Sequence, residues 1–326
     1  MPRASIIITT HNRPHLLPRA VESARLAGSD VEIIVVDDAS TDETAKVCRA
    51  LDGIRYVRVE RNQGVAGARN VGILASASEY LCFLDDDDVR LAHTLDAQVE
   101  ALASAPEAGM IYAQAELADQ NGEPSGRFYP SRCWQGDIFW RLLSRNFIPC
   151  GSVVFRRSCL SRVGLLDAAV PGLDDWDLWI RISELYPVIA LEQAVFRWRQ
   201  STPSSAQGTS MAAELVKQSA RQFRERWMRL GRVRDATETV RRQARSEFSR
   251  NMASHLLWEA ARAAKSGGMT QALRNLSTAM RLFPLEAMRA AINSKNIRAL
   301  FVKYLSRHGT DQTGAYQMKE QAGRSE

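Results

Sequence analysis

Three stretches of this chain, residues 6–8, 31–36 and 80–84, are short and almost wholly apolar, and each stops at a polar or acidic cluster. The clusters are Thr9-Thr10-His11, Asp37-Asp38 and Asp85-Asp86-Asp87-Asp88. Near-continuous runs rich in Ile and Val suit strands covered on both faces. Segments of helical period lie between them. One carries Leu17, Ala20, Val21 and Ala24, one reads as opened by a capping box at Ser40 and Glu43 and running to about Leu51, and one spans 65–77. A strand of alternating character is expected at 54–60. Strands and helices alternating at this spacing predict an α/β fold, a three-layer α/β/α sandwich with a mostly parallel central sheet. Ligands of such sheets sit outside the carboxyl ends of the strands. The three clusters therefore belong to one edge.

Beyond residue 105 the signals weaken. Strands are expected near 109–113, 152–155 and 195–199, a turn at Asn121-Gly122, and helices at 137–144, 157–163 and 175–185. From Met211 onward the period is helical. Leu256, Leu257, Ala260, Ala261 and Ala264 make one apolar stripe, broken at Gly267-Gly268, and Leu273, Leu276, Ala279, Met280 and Phe283 make a second that stops before Pro284. The pair reads as a single helical hairpin rather than a repeat array. The Ser/Thr/Pro/Gly cluster at 200–208 reads as a linker or mobile loop. It divides the chain into a domain at 1–205 and an all-α region at 206–326.

A length of 326 residues suits about two domains, and 45% hydrophobic with 25% charged residues excludes wholesale disorder. No apolar run is long enough to span a membrane, and the opening segment is too short to serve as a signal peptide. The five cysteines are scattered with no C-x-x-C pair, which points to a reducing cytoplasm rather than a disulfide framework or a zinc knuckle. The net charge of +6 conceals a split. Residues 1–209 hold 21 Lys and Arg against 27 Asp and Glu, whereas residues 210–326 hold 22 against 10. An acidic first part argues against a nucleic-acid-binding protein. The basic helices, with Arg221, Arg224, Arg241, Arg242 and Arg245, could meet an anionic membrane face, or present a solvated surface or a homo-oligomer contact.

Four consecutive carboxylates repel one another unless they are solvated or neutralised by a cation. Residues two apart in an extended segment share a side, so Asp85 and Asp87 would point together and could hold Mg²⁺ or Mn²⁺. A solvated acidic turn is the plain alternative. Asp38 could accept hydrogen bonds from a base or ribose, or merely start a turn. Gly64-Val65-Ala66-Gly67-Ala68-Arg69-Asn70 is neither G-x-G-x-x-G nor a phosphate loop. Arg69 could still offer a fork to an anion. Asp174-Asp175-Trp176-Asp177 opens a helix, where acidic residues suit the dipole and where a general base could also sit. Trp176 and Trp179 read as core. Phe128, Tyr129 and Trp134, in a stretch at 113–152 that could shape an acceptor site, read as packing or as a surface for a sugar ring.

Taken together and in order, these segments resemble the family 2 glycosyltransferases. The matching pieces are Thr9-Thr10-His11-Asn12-Arg13, Val36-Asp37-Asp38-Ala39-Ser40, Asn62-Gln63-Gly64 with Ala68-Arg69-Asn70, Leu84-Asp85-Asp86-Asp87-Asp88, and Asp174-Asp175-Trp176-Asp177, spread over residues 4–200. The resemblance implies the GT-A fold and transfer of a sugar, with inversion, from a nucleoside-diphosphate donor, by family frequency a UDP-sugar. It implies a saccharide or lipid-linked acceptor in cell-envelope or extracellular polysaccharide synthesis. Thr9, His11, Arg13 and Asp38 would lie on the nucleotide, with Arg69, Asp85 and Asp86 also among the nucleotide-sugar contacts. Asp87 would be the metal ligand, for Mg²⁺ or Mn²⁺, and Asp175 the general base. The chain departs from the family pattern in having His11 where an aromatic Tyr is usual, and no Pro soon after the acidic cluster. It also has Arg197-Trp198-Arg199-Gln200 where a diphosphate-binding His is common, so Arg199 stands as the substitute. A dinucleotide oxidoreductase or a nucleotidyltransferase lacks its glycine-rich loop here. A non-catalytic nucleotide-binding or scaffold protein on a degenerate transferase fold is the alternative.

Overall fold

The computed structural model describes residues 2–200 and 212–293. The chain divides into two compact units, Met1–Ser210 and Met211–Glu326. The expected linker, apart from Gln200, lies outside the described residues.

In the first unit β1 (Ala4–Thr10) pairs in parallel with β2 (Val31–Asp37) on one side and β4 (Tyr80–Asp85) on the other. On its outer side β2 pairs in parallel with β3 (Arg55–Arg58), shorter than expected. The register sets Thr10 beside Asp37 and Thr9 beside Asp85, so the polar ends of three strands finish level. Helices α1 (Leu17–Arg25), α2 (Thr44–Ala50), α3 (Gly64–Ala75) and α4 (Thr94–Ala103) cover these strands. Ile6 and Ile8 pack into a core with Leu17 and Val21 of α1 and Leu95 and Val99 of α4. Ile7 faces the other way, toward α3. A Cβ on Gly72 would collide with the Ile7 side chain, so glycine is what lets α3 settle on the sheet. Both faces are buried, as the unbroken apolar runs require.

The capping box at Ser40 is not formed. Helix α2 starts at Thr44, whose N–H donates to Asp42 at 2.9 Å, while Ser40 Oγ accepts the Asn12 N–H at 2.9 Å. The Thr41 N–H donates to Asn12 Oδ1 at 2.8 Å. The loop after β2 is thus fastened onto the loop after β1, and its hydroxyl is spent between loops instead of on the helix.

Past β4 the sheet becomes mixed. It adds β5 (Val89–Arg90), β6 (Met110–Ala118), β7 (Pro124–Tyr129), β8 (Val154–Arg156) and β9 (Val188–Arg199), in the order β3-β2-β1-β4-β8-β6-β9-β5 with β7 on β6. β8 is antiparallel to β4 and β6, β7 to β6, and β5 to β9, while β9 runs parallel to β6. Helices α5 (Phe139–Ser144), α6 (Leu160–Val163) and α7 (Asp174–Leu185) belong to this half. Trp179 is fully buried, its ring 6.3 Å from that of Phe83 and 5.5 Å from that of Phe155. The Trp176 indole donates to the Leu142 carbonyl at 2.8 Å. Both tryptophans are core, and they fix the start of α7.

The second unit is helical throughout its described part: Ala212–Glu225, Glu238–Lys265, Met269–Leu282 and Pro284–Asn293 are the main helices. Leu256, Leu257, Ala260, Leu276, Ala279 and Phe283 are buried, and the hairpin turns where Gly267 adopts φ +83°. No described helix is long and apolar enough to cross a membrane. Three of the five arginines singled out above form local ion pairs, Arg221 with Glu225 and both Arg241 and Arg245 with Glu238.

Candidate functional site

The level ends of β1 and β2 carry the first half of the site. Asp37 is fully buried and held by the Ser40 N–H at 2.8 Å and the Tyr56 hydroxyl at 2.9 Å. Asp38, also buried, accepts the Gln63 N–H at 2.7 Å where α3 begins. The Asp38 carbonyl accepts from His11 Nδ1 at 2.7 Å. A carbonyl oxygen only accepts, so Nδ1 carries the proton and Nε2 takes the Asn12 amide at 3.0 Å. His11 itself stays exposed. A flat, exposed ring is thus held beside the buried Asp38.

The acidic run after β4 splits in two. Asp86 turns inward, accepting from Thr10 Oγ1 at 2.7 Å and from the Arg13 guanidinium at 2.8 Å. Burial still pushes its carboxyl up to about 6 against the pull of Arg13. Asp85, Asp87 and Asp88 converge instead, one carboxylate oxygen from each lying within 4.8 Å of the other two. Asp88 is buried, and burial followed by repulsion from Asp85 and Asp87 raises its carboxyl well above the usual range. Its carboxylate accepts the Arg199 backbone N–H at 2.9 Å. Three hard oxygen donors with surplus negative charge fit Mg²⁺ or Mn²⁺.

Arg69 joins this cluster to α7. Its side chain is almost fully buried and bridges Asp85 at 2.7 Å and Asp174 at 2.9 Å, lying 5.1 Å over the Phe83 ring. Both terminal amino groups are committed, so Arg69 holds carboxylates in place instead of presenting an open fork to an anion. Asp175, next along, is pushed up to about 7 by burial and then by the Asp174 charge, with Arg69 opposing. Asp85, Asp88 and Asp175 line one cleft, closed by Cys150-Gly151 and by Tyr129 and Trp198. Residues 90 apart in the chain share one surface, within reach of a single small molecule.

The Glycosyl transferase family 2 profile matches residues 5–164. That stretch is a family 2 glycosyltransferase domain. An uncharacterized glycosyltransferase of Rickettsia felis is 31% identical over 57% of this chain and 32% of its own length. One from Haemophilus influenzae is 26% identical over 55% of this chain and 61% of its own length. The matched part of this chain thus spans about a third to three-fifths of these relatives. Among solved structures, residues 1–349 of S. aureus TarS in complex with UDP-GlcNAc align over 94% of this chain and 92% of that one, with a TM-score of 0.64 at 17% identity. Another crystal structure of TarS residues 1–349 gives a TM-score of 0.60 at 18% identity. At that identity the likeness is one of fold, an α/β GT-A fold followed by an all-α region.

Within the first unit, which holds this glycosyltransferase stretch, most residues singled out from sequence gather at one edge. Thr9, His11, Arg13, Asp38, Asp85, Asp86 and Asp87 follow the three parallel strands, and Asp175 joins them across the cleft. Arg199 does not. Its guanidinium donates to the Gln120 carbonyl at 2.8 and 2.5 Å, and only its backbone N–H reaches the acidic cluster. The reason is strand alternation. In β9, Phe196 and Trp198 face the cleft, while Arg197 and Arg199 take the other face, Arg197 meeting Glu116 at 2.9 Å. Sequence reasoning missed Trp198 and Asp88. The period-2 pattern of residues 195–199 was the available signal for Trp198. Nothing local flagged Asp88, because the turn after Asp85, closed by the Asp88 N–H on the Asp85 carbonyl at 3.1 Å, breaks that period.

Proposed function

We propose that this protein transfers a sugar from a nucleoside-diphosphate donor, first a UDP-sugar, to an acceptor hydroxyl with inversion. The observation that carries the reading is the shared cleft of Asp175, Asp85 and Asp88. Membership of the glycosyltransferase family supports it, as does the likeness in fold to TarS, solved with UDP-GlcNAc.

In this reading the base of the nucleotide lies against the His11 ring and beside Asp38, which Gln63 and the loop around Asn12 hold in position. Asp86 and Arg13 brace the turn after β4 so that Asp87 and its neighbours face the diphosphate. Asp87, with Asp85 and Asp88, would hold a divalent cation, which supplies charge to stabilise the departing diphosphate. Asp175 Oδ takes the proton of the acceptor hydroxyl as that oxygen attacks the anomeric carbon from the face opposite the leaving group. A carboxyl raised to about 7 suits a base working near neutrality, since it binds a proton readily yet is substantially ionised. Arg69 orients both sides of this arrangement through Asp85 and Asp174.

Residues 1–205 would be the catalytic domain and 206–326 a basic helical region. A saccharide or lipid-linked acceptor in cell-envelope polysaccharide synthesis, in the cytoplasm or peripherally at the inner membrane face, fits that region's charge. Salt-sensitive flotation with anionic liposomes would support membrane contact, since only electrostatic binding disappears with salt. Incubation with a panel of nucleotide sugars and Mn²⁺ tests the main reading. Donor hydrolysis or transfer is expected. Absence of turnover together with absence of metal-dependent nucleotide binding would leave a scaffold on a transferase fold.

A further inference from the structure

We propose that Tyr129 and Trp198 form a platform for one pyranose ring inside the cleft, an inference that rests on the reading of this site as a sugar-transfer site. Residue register is the first observation. Tyr129 of β7 and Phe196 of β9 both pair with Ala115 of β6, from opposite sides, so their side chains stand on one face of the sheet. Trp198, two residues beyond Phe196, stands on the same face. The β5–β9 register pairs Val89 with Arg197, and one step further brings Asp88 abreast of Trp198. The platform therefore adjoins the carboxylate cluster.

Exposure is the second observation. Phe196, Tyr112 and Phe147 in the same region are buried, whereas Tyr129 and Trp198 keep part of their surface open to the cleft. Their rings lie 6.1 Å apart at 56°, and the Tyr129 hydroxyl donates to the Asn146 carbonyl at 3.3 Å, which fixes its ring. Packing is also tight behind them. A Cβ on Gly151 would come within 2.7 Å of the Phe196 ring, so the backbone of Cys150–Ser152 closes the cleft at short range.

A wall of two aromatic rings beside carboxylates is the lining a sugar needs. The rings take the apolar C–H face of a pyranose, and Asp85 and Asp175 take its hydroxyls. A nucleobase would also stack, but in the reading above the base already has its place at His11 and Asp38. The ring can come from the donor or from the acceptor, and the two sources separate experimentally.

The test titrates UDP-GlcNAc and UDP, each with Mn²⁺, into the wild type, Trp198→Ala and Trp198→Phe. It also measures KM for donor and acceptor in any transfer assay. If the ring is the donor's, Trp198→Ala lowers the preference for UDP-GlcNAc over UDP about five- to tenfold with UDP affinity unchanged, and Trp198→Phe restores most of it. If the ring is the acceptor's, that preference holds and the acceptor KM rises by a similar factor at constant donor KM. A Trp198→Ala protein that melts like the wild type and keeps both the preference and both KM values within about twofold overturns the platform while leaving the transferase reading standing. A wild type that neither binds UDP-GlcNAc nor turns over any donor overturns both.

Discussion

The carboxylates at the end of β2 and on the inward side of the β4 turn differ from those around the cleft in one respect: how their charge is met. Asp37 has the Tyr56 hydroxyl, the Ser40 N–H and, at 3.8 Å, Arg58; Asp38 has the Gln63 N–H; Asp86 has Thr10 and Arg13. These partners all come from the chain itself, so this side is organised before any ligand arrives. Around the cleft, Asp85, Asp88 and Asp175, with Asp87 and Asp174 beside them, draw on Arg69, on Arg13 at 3.6 Å from Asp87, and on backbone N–H groups. Burial and mutual repulsion there push Asp88 well up and Asp175 to about 7. The contrast teaches that one side is a finished set of hydrogen bonds and the other is an electrostatic deficit that a cation and a reacting substrate would relieve.

Removing the proton acceptor should give the largest effect. Asp175→Asn keeps the shape of the carboxyl but cannot serve as base, and transfer should fall about 10²–10⁴-fold with donor affinity nearly intact. Donor affinity lost while turnover persists would reverse the assignment. Next comes the cation that spans the deficit. Arg69→Ala leaves Asp174 buried without its partner, and chemical denaturation should read a loss of about 3–5 kcal/mol. An equally stable variant would mean that the deficit is met elsewhere.

The third prediction concerns pH. A carboxyl raised to about 7 is protonated below that value and ionised above it, so a base at Asp175 loses activity as pH falls through about 7. The kcat/KM profile should show that acid limb, well above the roughly 4 of an ordinary Asp. Loss of the limb in Asp175→Asn residual activity would tie it to this residue. The smallest effect is expected at Arg199→Ala, which should change donor affinity less than about twofold, because its guanidinium sits on the Gln120 carbonyl. A large effect would move Arg199 back onto the diphosphate.

The finished side was legible in the sequence, and the cleft side much less so. Strands β1, β2 and β4 are buried on both faces, so their apolar runs are unbroken and their ends are marked by the first polar residue. The second half follows other rules. Strand β7, Pro124–Tyr129, is exposed along nearly its whole length and contains Pro and Gly, which leaves no apolar pattern to read. β5 is two residues long. Ser40 and Glu43 have the spacing of a cap, but the loop contact to Asn12 outcompetes it, and that contact joins residues 28 apart. Strand period pairs Asp87 with Asp85, and the two do converge, but through the turn at 86–87 that also brings in Asp88, not through extended strand. Arg199 was chosen by charge when the face of β9 was what mattered.

The most direct measurement is calorimetric titration of UDP-GlcNAc into wild type and Asp87→Ala, with Mn²⁺ and with chelator. A cleft that needs a cation predicts wild-type binding at least about tenfold tighter with Mn²⁺, and an Asp87→Ala protein whose weak binding ignores the metal. Equal wild-type affinity with and without Mn²⁺ would contradict it, leaving Asp85, Asp87 and Asp88 as a solvated acidic turn.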